Sequence, residues 1–416
     1  MDPRTGFRKF AVSSVAAVFG LAGVVLAAAP ATTAAMPSVY YVSLTGSNTN
    51  TGASVSTAFG TIQYAVVNVP PGSTILVEPG TYSLSTGGPV TITEDVTLES
   101  DADHGGSASN TILDATGLSN GIVIAGPGSA GTTVMGLTVE NAQKAGLVAL
   151  ATTGLTIWGN IVQNNDQSCA TYGPECSNPG SNNGIPFGVS GSNVSSTGTP
   201  FTATNSIPCG NAEAGGSDCE ALHLIGVTNS TVRGNTVQNN LDGGIYLTDE
   251  VGPTTGNLIA DNVVQGNLVD CGITLASHVP GNGVSYNTVT GNLSEDNGAA
   301  GIILATPVPG GILVHNAVTH NRVIGNGLGG IDIHTHVAGS MVSHNVIAAN
   351  MVSGNAPDFG VSMNPTTREP EAVGISIGAA GSPITDTVVT GNIITNETVA
   401  VYVTLLAQGT VVGGNR

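Results

Sequence analysis

Between residues 234 and 363 the chain repeats itself. Gly234-Asn-Thr-Val-Gln-Asn-Asn-Leu-Asp-Gly-Gly-Ile-Tyr-Leu247 is followed by Asp261-Asn-Val-Val-Gln-Gly-Asn-Leu-Val-Asp-Cys-Gly-Ile-Thr-Leu275. Then come Tyr286-Asn-Thr-Val-Thr-Gly-Asn292 leading to Gly301-Ile-Ile-Leu304, and His315-Asn-Ala-Val-Thr-His-Asn321 leading to Gly330-Ile-Asp-Ile333. His344-Asn-Val-Ile-Ala-Ala-Asn350 leads to Gly360-Val-Ser-Met363. The anchoring asparagines Asn235, Asn262, Asn287, Asn316 and Asn345 are spaced by 27, 25, 29 and 29 residues. A unit this short cannot bury an apolar face alone, so it must stack on its neighbours. Within each unit β-branched residues alternate with polar ones, which buries one side of a strand. Gly and Asn every few positions would ruin a helical repeat. Irregular spacing suits a solenoid whose corner loops vary, with asparagines one coil apart laddering their amides. The pattern predicts an all-β chain folded as a right-handed parallel β-helix. A β-propeller is the alternative, disfavoured by the constant phase of Gly-Ile-x-Leu.

Composition agrees. Only 8% of residues are charged and 4% aromatic, while Gly reaches 59 of 416; a narrow core of short strands with many tight corners needs this balance. Low-complexity disorder would share it, but Val, Ile and Leu recur in step throughout.

Residues 1–35 read as a signal peptide: Arg4, Arg8 and Lys9, then an uncharged stretch from Phe10 to Ala29, then Thr33-Ala34-Ala35 as a small-residue cleavage site. An uncleaved membrane anchor is the rival. Cleavage leaves 26 acids against 5 bases, a formal charge of −21, which excludes the phosphate neutralisation that nucleic-acid binding requires. It leaves an extracellular protein with no membrane segment, and oligomeric state is left open. Such a chain grips an acidic polymer only through a bridging divalent cation such as calcium.

The expected organisation is an N-terminal cap and first strand over 36–80, coils over 81–166, a loop insertion over 167–218, and coils over 219–416. Ile62, Ala65, Val66 and Val69 have helical spacing and Pro70-Pro71-Gly72 ends the run, giving a helical cap. No comparable cap is expected after Val403. The insertion carries three of the five cysteines, and a fourth, Cys219, follows it directly. In an exported protein these favour disulfides, and short loop closure pairs Cys169 with Cys176 and Cys209 with Cys219, leaving Cys271 free.

Tyr40-Tyr-Val-Ser-Leu-Thr-Gly-Ser-Asn-Thr-Asn-Thr-Gly52, Phe59-Gly-Thr-Ile-Gln-Tyr-Ala65 and Pro71-Gly-Ser-Thr-Ile-Leu-Val77 resemble the opening of bacterial pectate-lyase-like β-helix proteins. The resemblance implies the fold. Activity is another matter, since that superfamily includes lyases, hydrolases, epimerases and proteins without known catalysis. The Arg or Lys base expected of the lyases is missing, as are the paired-Asp, Gly-His-Gly and Arg-x-Lys signatures of the hydrolases. Asp332-Ile-His-Thr-His336 only faintly echoes the epimerase Asp-Pro-His motif.

Aligning the Gly-Ile-x-Leu strands puts His223, Tyr246, Thr274, Ile303, Asp332 and Ser362 in one outward column. Asp249-Glu250, Ser277-His278, Thr306-Pro307 and His334-Thr-His336 follow the strands. Imidazoles beside carboxylates can transfer protons or ligate metals. The expected catalytic set is His223, Asp249, His278, Asp332, His334 and His336, with Glu220, Tyr246 and Glu250 contacting substrate. The Ile303–Pro307 coil would form an apolar floor between two polar subsites. The bland alternative is a solvated corner. A second column, Asp261, Tyr286, His315 and His344, is the rival face. Trp158 is read as half-buried packing or a sugar-stacking surface. The leading expectation is an enzyme acting on an extracellular polysaccharide as lyase or glycoside hydrolase. The alternatives are a non-catalytic envelope or adhesion solenoid and an exported metal-binding accessory protein.

Overall fold

The structure, a computed structural model, describes residues 38–167, 210–211, 217–218, 220–357, 371–379 and 381–416. The expected signal peptide, residues 1–35, lies outside the described residues. So do Cys169, Cys176, Cys209 and Cys219; Cys271 is a free, buried thiol.

Every stacked strand pairs in parallel with its counterpart one coil away. The chain is a right-handed parallel β-helix. Sheet I has twelve strands, from Val39–Val42 to Val411–Gly413; sheet II has ten, from Gly80–Ser83 to Ile393–Thr395. Sheet III has ten, from Val90–Ile92 to Val399–Val403, and sheet IV six, from Thr254–Thr255 to Ala407–Gln408. Each coil visits I, II and III in turn, and from Thr254 onward the coils add sheet IV before returning to I. The helix Ile62–Asn68 buries Ile62, Ala65 and Val66 against the first coil, and Thr61 caps its start. Most three-residue strands bury their central residue alone, Val237, Val289 and Val323 for example, which is the period-two expectation.

The corners explain the motif. Asn235, Asn262, Asn292, Asn321, Asn350 and Asn392 form a ladder between sheets I and II, each Nδ2 donating to the next Oδ1 at 2.9–3.0 Å. Asn257, Asn287, Asn316 and Asn345 form another between sheets IV and I. A third, between sheets II and III, runs through Asn240, Asn267, Asn297, Asn326 and Asn355. The sequence reading therefore spliced two ladders, since Asn262 is followed in its own column by Asn292, not Asn287. The reason is local: both corners place a left-handed residue before the Asn, Asp261 at φ 52° and Tyr286 at φ 56°. Amide satisfaction is complete: Asn262 Oδ1 accepts both N–H and Nδ2–H from Asn235, while Asn262 Nδ2 also reaches Val232 O at 3.0 Å.

The glycine that opens most sheet III strands is required by close approach. A Cβ on Gly301 would collide with Val323 Cγ1, and one on Gly330 with Val352 Cγ1, both sheet II side chains across the core. Leu147–Leu150 pairs directly with Leu222–Ile225, so the chain leaves and re-enters one coil around the expected insertion. After Ile331–Thr335 the next sheet III strand is Val373–Ala379. The expected Gly360-Val-Ser-Met363 is not it and lies outside the described residues. Gly374-Ile-Ser-Ile377 has the same local pattern, and only stacking tells them apart.

Candidate active site on the third sheet

The outward column of sheet III runs His223, Tyr246, Thr274, Ile303, Asp332 and, in place of Ser362, Ser376. Neighbours in it are one strand spacing apart, about 4.8 Å. All but Ile303 are buried, so the column is not the solvated corner of the bland alternative. Strands of sheet III are buried on both faces, as in sheets covered on two sides. Toward the N-terminal coils the outer face continues as a second apolar cluster of Val123, Val148, Leu150 and Ile225.

Four of the expected residues meet. Glu250 Oε1 lies 2.8 Å from His278 Nδ1, and Tyr246 Oη lies 3.1 Å from His278 Nε2. Thr248 donates its hydroxyl to Glu250 Oε2 and lies 2.9 Å from His223 Nε2. A hydroxyl has one proton, so His223 Nε2 is the donor in that contact. His223 also stacks on Tyr246, with ring centroids 4.7 Å apart. Burial pushes the His223 imidazole down to about 4, with His278 adding to the shift and Glu250 opposing it; the ring is neutral at pH 7. Burial raises the Glu250 carboxyl, but the bond and charge of His278, the charge of His223 and Thr248 together hold it below the ordinary range. A carboxylate at Glu250 makes His278 Nδ1 the protonated nitrogen, so Nε2 accepts from the phenol. The result is a chain, Tyr246 O–H to His278 to Glu250, in which an imidazole can take a phenol's proton while a carboxylate steadies the cation.

Asp249 does something else. It accepts from Ser277 Oγ and from the backbone amides of His278, Val279 and Gly283, at 2.7, 2.7, 3.0 and 2.7 Å. Its carboxylate organises the following coil's corner and so seats His278. Burial raises its carboxyl, which these hydrogen bonds only partly counter.

Asp332, His334 and His336 form a separate group. His334 Nδ1 is 2.5 Å from Asp332 Oδ2, Ser376 donates to Asp332 Oδ1, and the His334 and His336 rings meet edge to face at 4.2 Å. Strands Ile302–Thr306 and Ile331–Thr335 put this group two coils beyond His278, as the spacing predicts.

Glu220 does not join the relay. It sits at the opposite end of the strand, over Gly243 and near Asp270 and Cys271. With Asp166 and Asp242 it makes an acid-rich corner. Burial, then the charge of Asp242, raises Asp166 well above the carboxylate range; burial, then Asp270, does the same to Asp242. Burial, Asp270 and Glu220 raise the Cys271 thiol, so it is not a nucleophile.

Thr248 and Ser277 were missed by sequence reasoning. Thr248 had a signal: it lies two residues beyond Tyr246 on one strand and so shares its face.

The rival column is real in part. Tyr286, His315 and His344 stack at 4.8 Å intervals on the corner between sheets IV and I. Asp261 belongs to the corner between sheets I and II and pairs with Arg233 at 2.8 Å. Trp158 is 53% exposed, more open than packing requires. It lines a cleft of about 500 Å³ with Glu99, Asp103 and Met135 on the outer face of sheet I.

The family described as periplasmic copper-binding protein (NosD) matches residues 188–416. A family described as protein of unknown function (DUF1565) matches residues 44–204. No curated protein matches the chain. Among solved structures, the A-module of the mannuronan C-5 epimerase AlgE6 of Azotobacter vinelandii is 15% identical at a TM-score of 0.47, covering 83% of this chain and 90% of that one. Pectate lyase Pel9A is 13% identical at 0.48, covering 92% and 80%. The Dettilon tailspike protein is 14% identical at 0.47, covering 86% and 62%. These likenesses are of fold.

Proposed function

We propose, for a chain that belongs to the family described as periplasmic copper-binding protein (NosD), an exported β-helix that acts on a polysaccharide by proton transfer at Tyr246, His278 and Glu250. The observation that carries this reading is the hydrogen-bonded chain through His278, with Glu250 at 2.8 Å on one ring nitrogen and Tyr246 at 3.1 Å on the other. Once His278 holds its proton, the Tyr246 oxygen is a base; with the proton returned, it is an acid. His223, neutral and stacked on Tyr246, fixes the phenol ring. Asp332 and His334 offer a second polar point two coils on, a separation suited to an elongated polymer lying along the stack. The test is to incubate purified protein with a panel of neutral and acidic polysaccharides, with and without calcium, and to follow chain length and unsaturated or epimerised products. Turnover that Tyr246→Phe abolishes supports the reading. Absence of turnover and binding across the panel overturns it.

The family description favours a second reading, an exported copper-holding accessory role. The imidazoles on sheet III do not fit a copper centre: both nitrogens of His278 are engaged. Among the described residues, no three His, Cys, Asp or Glu side chains on this face bring ligand atoms within 4.8 Å of one another. Copper titration of wild type and His223→Ala tests this reading, which needs tight binding that the variant loses.

A further inference from the structure

Far from sheet III, the register of the first coils brings two acids together. Ser73–Val77 pairs with Val96–Ser100, and Val77 stands opposite Ser100. The next residues, Glu78 and Asp101, therefore occupy equivalent places on adjacent coils. Asp101 then starts the 3₁₀ turn Ala102–His104, where Oδ1 accepts from His104 N at 3.3 Å and Oδ2 lies 2.6 Å from His104 Nδ1. Residues three apart eclipse in such a turn, so carboxylate and imidazole share one side. The ligand atoms of Glu78, Asp101 and His104 lie within 4.8 Å of one another, a convergence no other trio reaches among the described residues.

The surroundings favour a cation. Glu99 and Asp103 line the same cleft as Asp101. Among the described residues none of these four acids pairs with a lysine or arginine. Asp101 is 1% exposed at its side chain and His104 48%, so the group is anchored at its base and open at the imidazole.

We propose that Glu78, Asp101 and His104 form a binding site for a first-row divalent cation such as zinc, through one imidazole nitrogen and two carboxylate oxygens. The site lies outside residues 188–416 and within the 44–204 match, independent of the sheet III relay. A nitrogen donor selects zinc-class ions over calcium.

The experiment is calorimetric titration of chelator-stripped full-length protein with zinc chloride and calcium chloride, repeated with His104→Ala and Glu78→Gln. Asp101→Asn is left out because Asp101 also caps its turn. The expected result is one zinc bound per chain, at least tenfold weaker in each variant, with zinc at least tenfold tighter than calcium. Wild type that binds no zinc, binding that His104→Ala leaves unchanged, or calcium held as tightly as zinc overturns the proposal. Circular dichroism of His104→Ala, whose ring is half exposed, confirms that the variant is folded.

Discussion

Glu250 and His278 stand 28 residues apart in sequence and 2.8 Å apart in space. One coil separates them, so the contact is set by stacking rather than by either residue's local sequence. It fixes which nitrogen of His278 carries the proton, and thereby what Tyr246 can do.

Tyr246→Phe should abolish turnover on any substrate the panel identifies, by about 10²–10⁴-fold for loss of a proton-transfer group. The ring keeps its packing against His223, but the buried His278 Nε2 loses its partner, so stability should fall by about 1–3 kcal/mol. His344→Ala, on the rival column, should leave turnover unchanged. Initial rates beside thermal melts check all three statements; a fully active Tyr246→Phe would sink the relay.

Asp249→Ala should fail differently. It orphans one hydroxyl and three backbone amides in a buried corner, at about 1–3 kcal/mol for each group that finds no water. The expected result is a destabilisation of about 3 kcal/mol or more, measured by urea unfolding. Stability within about 0.5 kcal/mol of wild type would mean the corner is not held by this carboxylate.

Acid should loosen the fold through His223. Its folded value of about 4 lies below the ordinary 6.5, so between those values the unfolded chain binds the extra proton and stability falls as pH drops. The window is worth about 3 kcal/mol at most. Glu250, held low in the fold, pulls the same way. Urea midpoints measured from pH 7 down to 4 should decline in wild type and decline less in His223→Phe.

The acid-rich corner should respond in the opposite direction. Asp166 is held protonated by burial and by Asp242, so rising pH through the carboxylate range costs stability. Asp166→Asn removes that cost and should raise the melting temperature at pH 8 while changing little at pH 4. A variant less stable at pH 8 would show that Asp166 is ionised in the fold.

The solenoid was legible because each strand declares its inward residue and each unit carries the same Gly-Ile-x-Leu. The exact stacking was harder. Asp261-Asn262 and Tyr286-Asn287 look alike locally, and nothing within either dipeptide says which corner it turns. Asp249 read as a catalytic acid because its partners are mostly backbone amides 29–34 residues away, which no side-chain pattern announces. His223, Tyr246, Glu250 and His278 were within reach because column reasoning needs only a correct register. The burial of that column was not, since the pattern within a strand reports the inner face alone.

Asn160 hydrogen-bonds Asn235 across 75 residues of chain, Asn235 bonds Asn262 across 27, and Asn350 bonds Asn392 across 42, all at 2.9–3.1 Å. The ladder counts coils and is blind to how much chain lies between them. A segment can therefore lengthen or shorten at a corner without shifting the register of any strand beyond it. Lineages of such chains can remodel one loop wholesale while inheriting the rest of the stack intact, and length differences between relatives should fall at corners rather than within strands.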